Sequence, residues 1–399
     1  MLLTDYPLLA GTHLPTNGPR NLLTHAGLRH PGTGGPISPA LALGISGGLG
    51  CGYILWQFKG HIGTVLTLGF TYRWNYGKEA PGQLCERLGA DIRWLETGSV
   101  KKAEKQLMDT LAAGKSAVAW LDQVNLGYLH QPTHLEGCFG WHGTVCGTTE
   151  DGVLVHDLGA HARPVSAAVL GAARKRIGSY KNRLLVVDGL SPMGASDWSS
   201  AVRAGVADCT RYLSENSASF SIPAIRKWAR MVVDGKNKKG WMKAFPDGLG
   251  LASALESTWH NVAQGQSDGG GLRATYADFC REGAELADWK GLADVAPLWD
   301  EAAIRWRQVA ETALPLDVPE LAELRGLAAE RWSLLQQPST PEVDARVAAV
   351  SAEHQEVRAR LNEAYPEADV QPRLQAVSEA LMGVVEAEKA AVAALAGLS

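Results

Sequence analysis

Residues 11–53 read GTHLPTNGPRNLLTHAGLRHPGTGGPISPALALGISGGLGCGY. The stretch opens with the pair His13–Leu14, which precedes two residue types that favour a helix N-cap, Thr16 and Asn17. A helical pattern of apolar residues then runs from Arg20 to Leu28. The stretch therefore predicts a helix that begins just after His13–Leu14, and we take this helix as the element around which the N-terminal part of the fold is organised.

The composition is that of an ordinary globular protein. The 399 residues are 46% hydrophobic and carry a formal net charge of −4, which gives no basic footprint for nucleic acid. No apolar run approaches the roughly 18 residues that a membrane span needs. The N-terminus has Asp5 and no basic segment, so a signal peptide is not expected. The six cysteines are scattered, as in reduced proteins, and we predict a cytoplasmic protein.

The chain divides by pattern near residues 191–194, a Ser-Pro-Met-Gly segment typical of a boundary. Residues 1–190 alternate between strand-like and helical runs, with β-rich stretches at 53–58 and 64–72. Residues 197–399 read as long helices that end in a helical hairpin. We predict an α+β domain followed by an α-helical domain, whose C-terminal helices offer an interface for a homodimer.

The N-terminal half resembles the butirosin-biosynthesis protein H family. Members carry a His-Cys pair, then a Leu-Arg-Asn-Leu-Leu-like helix, then a Gly-Gly-Leu-Gly-Phe-Gly-Tyr-like run. The residues of this chain that match are Arg20, Asn21, Leu22, Leu23, Gly47, Gly48, Leu49, Gly50, Gly52 and Tyr53. Leu14 stands where the family has its presumed nucleophilic cysteine, and Cys51 stands where it usually has an aromatic residue. The helical half resembles an uncharacterised domain that often follows this one.

The resemblance implies a papain-like fold with a histidine and an acid on paired strands. In such enzymes the histidine activates a thiol at a helix N-terminus, and the acid orients the histidine. His142 and Asp157 fit these two roles here. Because Leu14 cannot attack a substrate, either Cys51 replaces the nucleophile or His142 acts as a general base without a covalent intermediate. His13 is a second acid–base group or a support for the loop.

Four further residues are expected at the substrate. Asp122 and Tyr128 follow a buried strand as in the family, and Asp122 either holds a substrate amine or caps a loop. Leu14 and Tyr53 are predicted to contact the substrate through their places in the family motifs. The sequence has no cofactor motif, since the Gly-rich run lacks the Lys-Ser/Thr of a phosphate-binding loop.

Two clusters of residues have both a functional and a purely structural interpretation. Cys138, His142 and Cys146 have a ligand-like C-x3-H-x3-C spacing, but residues four apart on a strand are roughly 13 Å apart, so no metal site is predicted. A basic group could dock an acyl carrier protein, or could be solvated surface charge. It comprises Arg174, Lys175, Arg176, Lys181 and Arg183.

The family's namesake transfers an aminoacyl group from a carrier-protein thioester to an amine of an aminoglycoside. The resemblance therefore implies an acyltransferase-like enzyme of natural-product biosynthesis that acts on a small-molecule intermediate. The loss of the family cysteine leaves two alternatives. One is cyclisation or dehydration by acid–base chemistry in the same fold, and the other is a non-catalytic binding protein.

Overall fold

The structure is a computed structural model that describes residues 1–57, 63–265, 267–363, 365 and 367–398. The chain splits into two compact units. The first comprises Met1–Ala42, Pro81–Asp197 and Ser333–Ala348, and the second comprises Leu43–Ala80, Trp198–Trp332 and Ala349–Ser399. This differs from the linear division predicted from the sequence, because the segment at 43–80 packs with the helices and the segment at 333–348 packs with the sheet.

The secondary structure confirms a sheet-containing N-terminal region and a helical C-terminal region. The strands are β1 (Leu49–Trp56), β2 (Val65–Thr71), β3 (Ala90–Leu95), β4 (Ala117–Asp122), β5 (Gly140–Thr148), β6 (Gly152–His156), β7 (Ala162–Ser166) and β8 (Leu184–Leu190). The helices are α1 (Leu14–His25), α2 (Pro39–Ile45), α3 (Glu79–Arg87), α4 (Val100–Ala112), α5 (Ala167–Arg176), α6 (Ala195–Ser214), α7 (Ile222–Val233), α8 (Trp241–Ala244), α9 (Gly248–Ala263), α10 (Arg273–Leu286), α11 (Lys290–Ala313), α12 (Pro319–Leu335), α13 (Pro341–Glu363) and α14 (Glu367–Ala396).

The first unit is built on an antiparallel sheet with strand order β3-β8-β4-β5-β6-β7. The central strand β4 is buried along its whole length, as its run of small and apolar residues requires. Helix α1 packs on β4 and β5 at Gly18. A methyl group at Gly18 would lie 2.8 Å from Cγ2 of Val118 and 3.3 Å from Oγ1 of Thr144, so the helix backbone approaches the sheet closely.

Helix α1 begins earlier than the sequence predicts. His13 is its N-cap, in extended conformation, and the first turn contains Pro15, which is favoured there because it needs no hydrogen-bond acceptor. The hydroxyl of Thr16 hydrogen-bonds the His13 ring at Nδ1 over 2.8 Å instead of capping the helix itself. The helix ends at His25, before the expected Leu28, and Gly27 follows with φ +104°.

The second unit combines the β1–β2 hairpin with helices α7 to α11, helix α14 and most of α6, α12 and α13. The predicted β-rich stretch at 53–58 forms part of β1, although Phe58 lies outside the described residues. The hairpin packs on α7, where the Tyr53 and Trp228 rings stack with centroids 5.6 Å apart. This aromatic stacking buries one face of the hairpin against helices, which explains why it belongs to the helical unit. Among the described residues, no helix is both long and apolar enough to span a membrane.

Candidate active site

The register of β4 and β5 places Trp120 and His142 side by side. The two residues are cross-strand partners, so their side chains lie on the same face, and their ring centroids are 4.8 Å apart in an edge-to-face arrangement. Val118 and Thr144 are also partners, two residues further along each strand. Because side chains alternate along a strand, Trp120 and His142 share the face on which α1 packs.

The N-terminus of α1 lies over this pair. Gly18 packs against Val118 and Thr144, and Leu14 is one helical turn earlier, about 6 Å along the axis. Two residues along an antiparallel strand span about 6.6 Å, which leads from Thr144 to His142. Leu14 is 2% exposed and is the first residue of α1. His13, the N-cap of α1, is close enough to His142 for the two rings to interact electrostatically, so the helix start lies in the neighbourhood of this histidine.

His142 is neutral at physiological pH. Burial, with a smaller contribution from the positive charge of Arg183, lowers the pKa of its imidazole to about 4. Its Nε2 atom is buried and has no hydrogen-bond partner among the described residues. A buried polar atom without a partner needs an explanation, and a catalytic role is one of those known in proteins. A neutral imidazole with an unoccupied Nε2 has the chemistry of a general base.

His13 interacts electrostatically with the same histidine. Burial, with a smaller contribution from His142, lowers the pKa of His13 to about 3. The ring is only partly buried and is held by Thr16, whose hydroxyl hydrogen-bonds both Nδ1 and the His13 carbonyl oxygen. The structure therefore gives His13 the supporting role as N-cap, and it places a second neutral imidazole beside the first.

Asp157 does not orient His142. It is 4% exposed, and its carboxylate accepts hydrogen bonds from the Tyr128 hydroxyl at 2.6 Å and Trp141 Nε1 at 3.0 Å. The backbone N–H of Leu158 supplies another at 2.7 Å. This carboxylate therefore ties a loop to the sheet, and the role predicted for Asp157 is corrected.

The cause lies in the register of the β5–β6 hairpin. Thr144 pairs with His156, so His156 is on the face that carries His142 and Asp157 is on the opposite face. A register irregularity between Val145 and Gly147 sets this pairing. His156 itself is engaged, with Nδ1 2.8 Å from the Tyr6 hydroxyl and Nε2 2.9 Å from the Gly159 carbonyl oxygen.

Of the predicted substrate residues, Asp122 and Tyr128 are engaged internally. Asp122 is fully buried and accepts hydrogen bonds from the backbone N–H groups of Asn125 and Gly137 and from the Asn125 amide. This is the loop-capping alternative stated above. Tyr128 donates to Asp157 and lies under the Arg163 guanidinium, 5.4 Å from the ring centroid.

Cys51 and Tyr53 belong to the second unit, whereas His142 belongs to the first. Burial raises the pKa of the Cys51 thiol well above its ordinary value, with Glu388 adding to the effect. Its sulfur accepts a hydrogen bond from Arg273 at 3.1 Å. A protonated, buried thiol is a poor nucleophile, so the structure lends no support to Cys51 as the replacement nucleophile. Tyr53 is 2% exposed and accepts a hydrogen bond from Trp241 Nε1, so it is a core residue.

The structure adds residues that the sequence did not single out. The Arg183 guanidinium lies 5.4 Å from the Trp120 ring centroid and 5.8 Å from that of Tyr180, and it pairs with Glu96 at 2.6 Å. Trp120 therefore has Arg183 and His142 as neighbours. Its position two residues before Asp122, in an otherwise small and apolar strand, was the available sequence signal.

Several residues of the basic group make contacts within the protein. Arg174 is buried and donates to the backbone carbonyls of Ala103 and Asn182, and Arg176 pairs with Glu136. With Arg183 paired to Glu96, three of the five cations serve the fold, so they lend no support to carrier docking. Among the described residues, no group of three or more His, Cys, Asp or Glu side chains is placed to hold a metal ion.

Comparison with known families matches both halves of the chain. Residues 13–158 match the family described as butirosin biosynthesis protein H, N-terminal. Residues 169–318 match a domain of unknown function (DUF4872). The resemblance drawn from the motifs is thereby confirmed in both identity and order. No curated protein matches the chain.

Proposed function

Because residues 13–158 belong to the butirosin biosynthesis protein H N-terminal family, we propose that this protein transfers acyl groups in natural-product biosynthesis. In this proposal His142 is the general base and no acyl-cysteine forms. The observation that carries it is the buried Nε2 of His142, which has no partner among the described residues and lies near the N-terminus of α1. Leu14, at the place of the family nucleophile, supplies no competing covalent route.

The reaction is a direct attack of an amine on a thioester. The amine nitrogen bonds to the carbonyl carbon while His142 Nε2 accepts the amine proton. The tetrahedral intermediate then collapses, the carbon–sulfur bond breaks, and the proton passes from His142 to the leaving sulfur. The N-terminus of α1 stabilises the negative charge that develops on the carbonyl oxygen.

The test replaces the base. We expect His142→Ala to lower turnover by roughly 10²- to 10⁴-fold, because general-base catalysis contributes about that much. The assay uses an aminoacyl N-acetylcysteamine thioester as donor and hydroxylamine, a small nucleophile largely neutral near neutral pH, with hydroxamate as product. His134→Ala is the control, since His134 is an exposed histidine of the same unit. Equal activity in wild type and His142→Ala would exclude His142 as the base.

The protonation of His142 can be measured without substrate. The imidazole resonance, assigned by its loss in His142→Ala, should titrate with a midpoint near pH 4, well below that of a free histidine at about 6.5. Since burial disfavours the charged form, this neutral histidine contributes stability above pH 6.5 that is lost as the pH falls towards 4. A midpoint near the free value would remove the buried, neutral base from the proposal.

A binding protein is the second candidate, favoured by a specific observation. The Nε2 atom of His142 and the Leu14 side chain are both buried, and Asp157 is engaged elsewhere. A protein with this site could bind a biosynthetic intermediate without turning it over. Calorimetric binding of the thioester, with no hydroxamate formed by wild type, would favour this candidate.

In the alternative reaction, acid–base cyclisation or dehydration, both His13 and His142 would take part in proton transfer. His13 and His142 interact electrostatically, and burial keeps both neutral at physiological pH, as an imidazole pair that passes a proton requires. In that case His13→Gln should lower turnover as much as His142→Ala does. In acyl transfer, where His13 supports the helix start, the loss should be clearly smaller.

A further inference from the structure

Two buried polar atoms without partners belong to neighbouring side chains of the site. They are Nε1 of Trp120 and Nε2 of His142, and neither has a hydrogen-bond partner among the described residues. Trp120 is 1% exposed, and the two rings are cross-strand neighbours with centroids 4.8 Å apart. Leaving a buried donor or acceptor unpaired costs about 1–3 kcal/mol, so two in contacting rings call for an explanation.

The two atoms have complementary requirements. An indole Nε1 carries a hydrogen and can only donate, whereas Nε2 of a neutral imidazole acting as a base can only accept. A single chemical group that satisfies both must accept one hydrogen bond and donate another. A hydroxyl group, a water molecule or a neutral primary amine meets this condition. A thioester carbonyl cannot donate, and an ammonium group has no lone pair with which to accept.

From this pairing we propose that Trp120 and His142 together bind the nucleophile, and that the nucleophile is a hydroxyl or a neutral amine. The inference rests on the proposed function, in which His142 is the base. Trp120 Nε1–H donates to one lone pair of the attacking atom, His142 Nε2 accepts its proton, and the remaining electron pair of a hydroxyl is free for attack. For an amine, the Trp120 hydrogen bond is released as its only lone pair forms the new bond.

The surroundings fix Trp120 for this task. The Arg183 guanidinium lies over the Trp120 ring, 5.4 Å from its centroid. The Trp94 ring packs edge-on against Trp120, with the two centroids 5.5 Å apart. The charged groups near Trp120 and His142 are Arg183 and its partner Glu96. The nearby His13 is neutral. A cationic guanidinium beside the site disfavours a second cation, which agrees with a nucleophile that arrives uncharged.

The test removes the indole N–H and keeps an aromatic ring. Trp120→Phe should raise the KM for hydroxylamine by roughly tenfold, the value of one hydrogen bond, and leave the KM for the thioester unchanged. Trp94→Phe is the matched control, because it alters a tryptophan that packs on the same ring. Thermal unfolding of both variants establishes that any difference is not a loss of folding.

The outcomes separate this inference from the proposed function. A rise in the hydroxylamine KM for Trp120→Phe, absent in Trp94→Phe, supports the nucleophile site. An unchanged KM for Trp120→Phe, together with low turnover in His142→Ala, overturns the inference and leaves the proposed function standing. Full activity in His142→Ala overturns the proposed function instead.

A substrate-free measurement covers the case in which wild type turns over no thioester. The indole 15N–1H resonance of Trp120, assigned by its loss in Trp120→Phe, should shift as hydroxylamine is added, and the shift should be smaller in His142→Ala. Saturating behaviour of this kind supports the shared site. The inference is overturned if the Trp120 resonance shifts no more than the Trp94 resonance does.

Discussion

At the residue scale, the proposed chemistry depends most on what stands at position 14. Leu14 is buried at the start of α1, where a thiol would lie near His142 and near the positive end of the helix. The buried Nε2 of His142 has no hydrogen-bond partner among the described residues. In the proposed function His142 therefore acts without a thiol at position 14 and without Asp157 as its orienting acid.

Restoring the thiol tests this placement. In Leu14→Cys the helix N-terminus and the imidazole both favour the thiolate, so the pKa of the new thiol should fall below about 8.5. It should react with iodoacetamide at mildly acidic pH faster than the native cysteines, five of which are buried, and His142→Ala should slow the reaction.

The native thiols provide the reference for that measurement. Burial raises the pKa of Cys51, Cys85, Cys146, Cys209 and Cys280, so these thiols remain protonated and slow. Cys138 is the partly exposed cysteine. Mass spectrometry of its peptide gives the reference rate of iodoacetamide labelling. If the new thiol labels no faster than Cys138 and ignores His142→Ala, residue 14 does not face the histidine.

At the element scale, the close contact of α1 with the sheet holds the site together. Gly18 allows this contact, because Val118 is a buried, β-branched residue of β4 whose methyl group cannot turn aside. Since Leu14 is one turn from Gly18, any displacement of α1 from the sheet also displaces the helix start from His142.

Two helical glycines make a matched pair of variants. Gly18→Ala should destabilise the protein by about 1–3 kcal/mol, since the new methyl group would overlap Val118 at 2.8 Å. Gly171→Ala, in α5, meets no atom within 4 Å and should stabilise by about 0.5–1 kcal/mol through helix propensity. Urea unfolding followed by circular dichroism compares them. Equal effects of the two substitutions would contradict the close packing of α1.

At the scale of the whole molecule, the helical unit is organised around a buried ion pair. Arg273 of α10 donates from Nε to Glu388 of α14 at 2.6 Å, and both side chains are fully buried. The same carboxylate oxygen accepts from Trp306 Nε1 of α11 at 2.7 Å, and Arg273 also donates to the Gly50 carbonyl oxygen in β1. One charged pair therefore joins three helices to the hairpin.

Breaking this pair should be costly. Glu388→Gln leaves the Arg273 cation buried without a counter-charge, and we expect a loss of about 3–5 kcal/mol in the free energy of unfolding. Glu301→Gln removes one partner of an exposed pair on α11 and should change stability by less than about 1 kcal/mol. Comparable losses in the free energy of unfolding of the two variants, measured by denaturant unfolding, would show that the buried pair contributes no more to stability than the exposed pair.

The sequence by itself determined the local features, because these depend on neighbouring residues. Turn and capping residues marked the start of α1 to within a few residues, and apolar periodicity distinguished the sheet region from the helices. The motif around residues 13–53 led to the family, and the position of Leu14 identified the missing thiol. His142 was predicted as a site residue because the resembled family implies a histidine on one strand and an acid on the strand paired with it.

The tertiary structure alone decided what depends on register and long-range packing. A one-residue irregularity in the β5–β6 hairpin turned Asp157 to the opposite face from His142, and no local pattern reports such a shift. Segment 43–80 joined the helical unit because its hairpin buries aromatic surface on α7, a packing that no local pattern in the sequence reports. Trp120 entered the site only through pairing with His142, since strand partners distant in sequence become neighbours when the sheet forms.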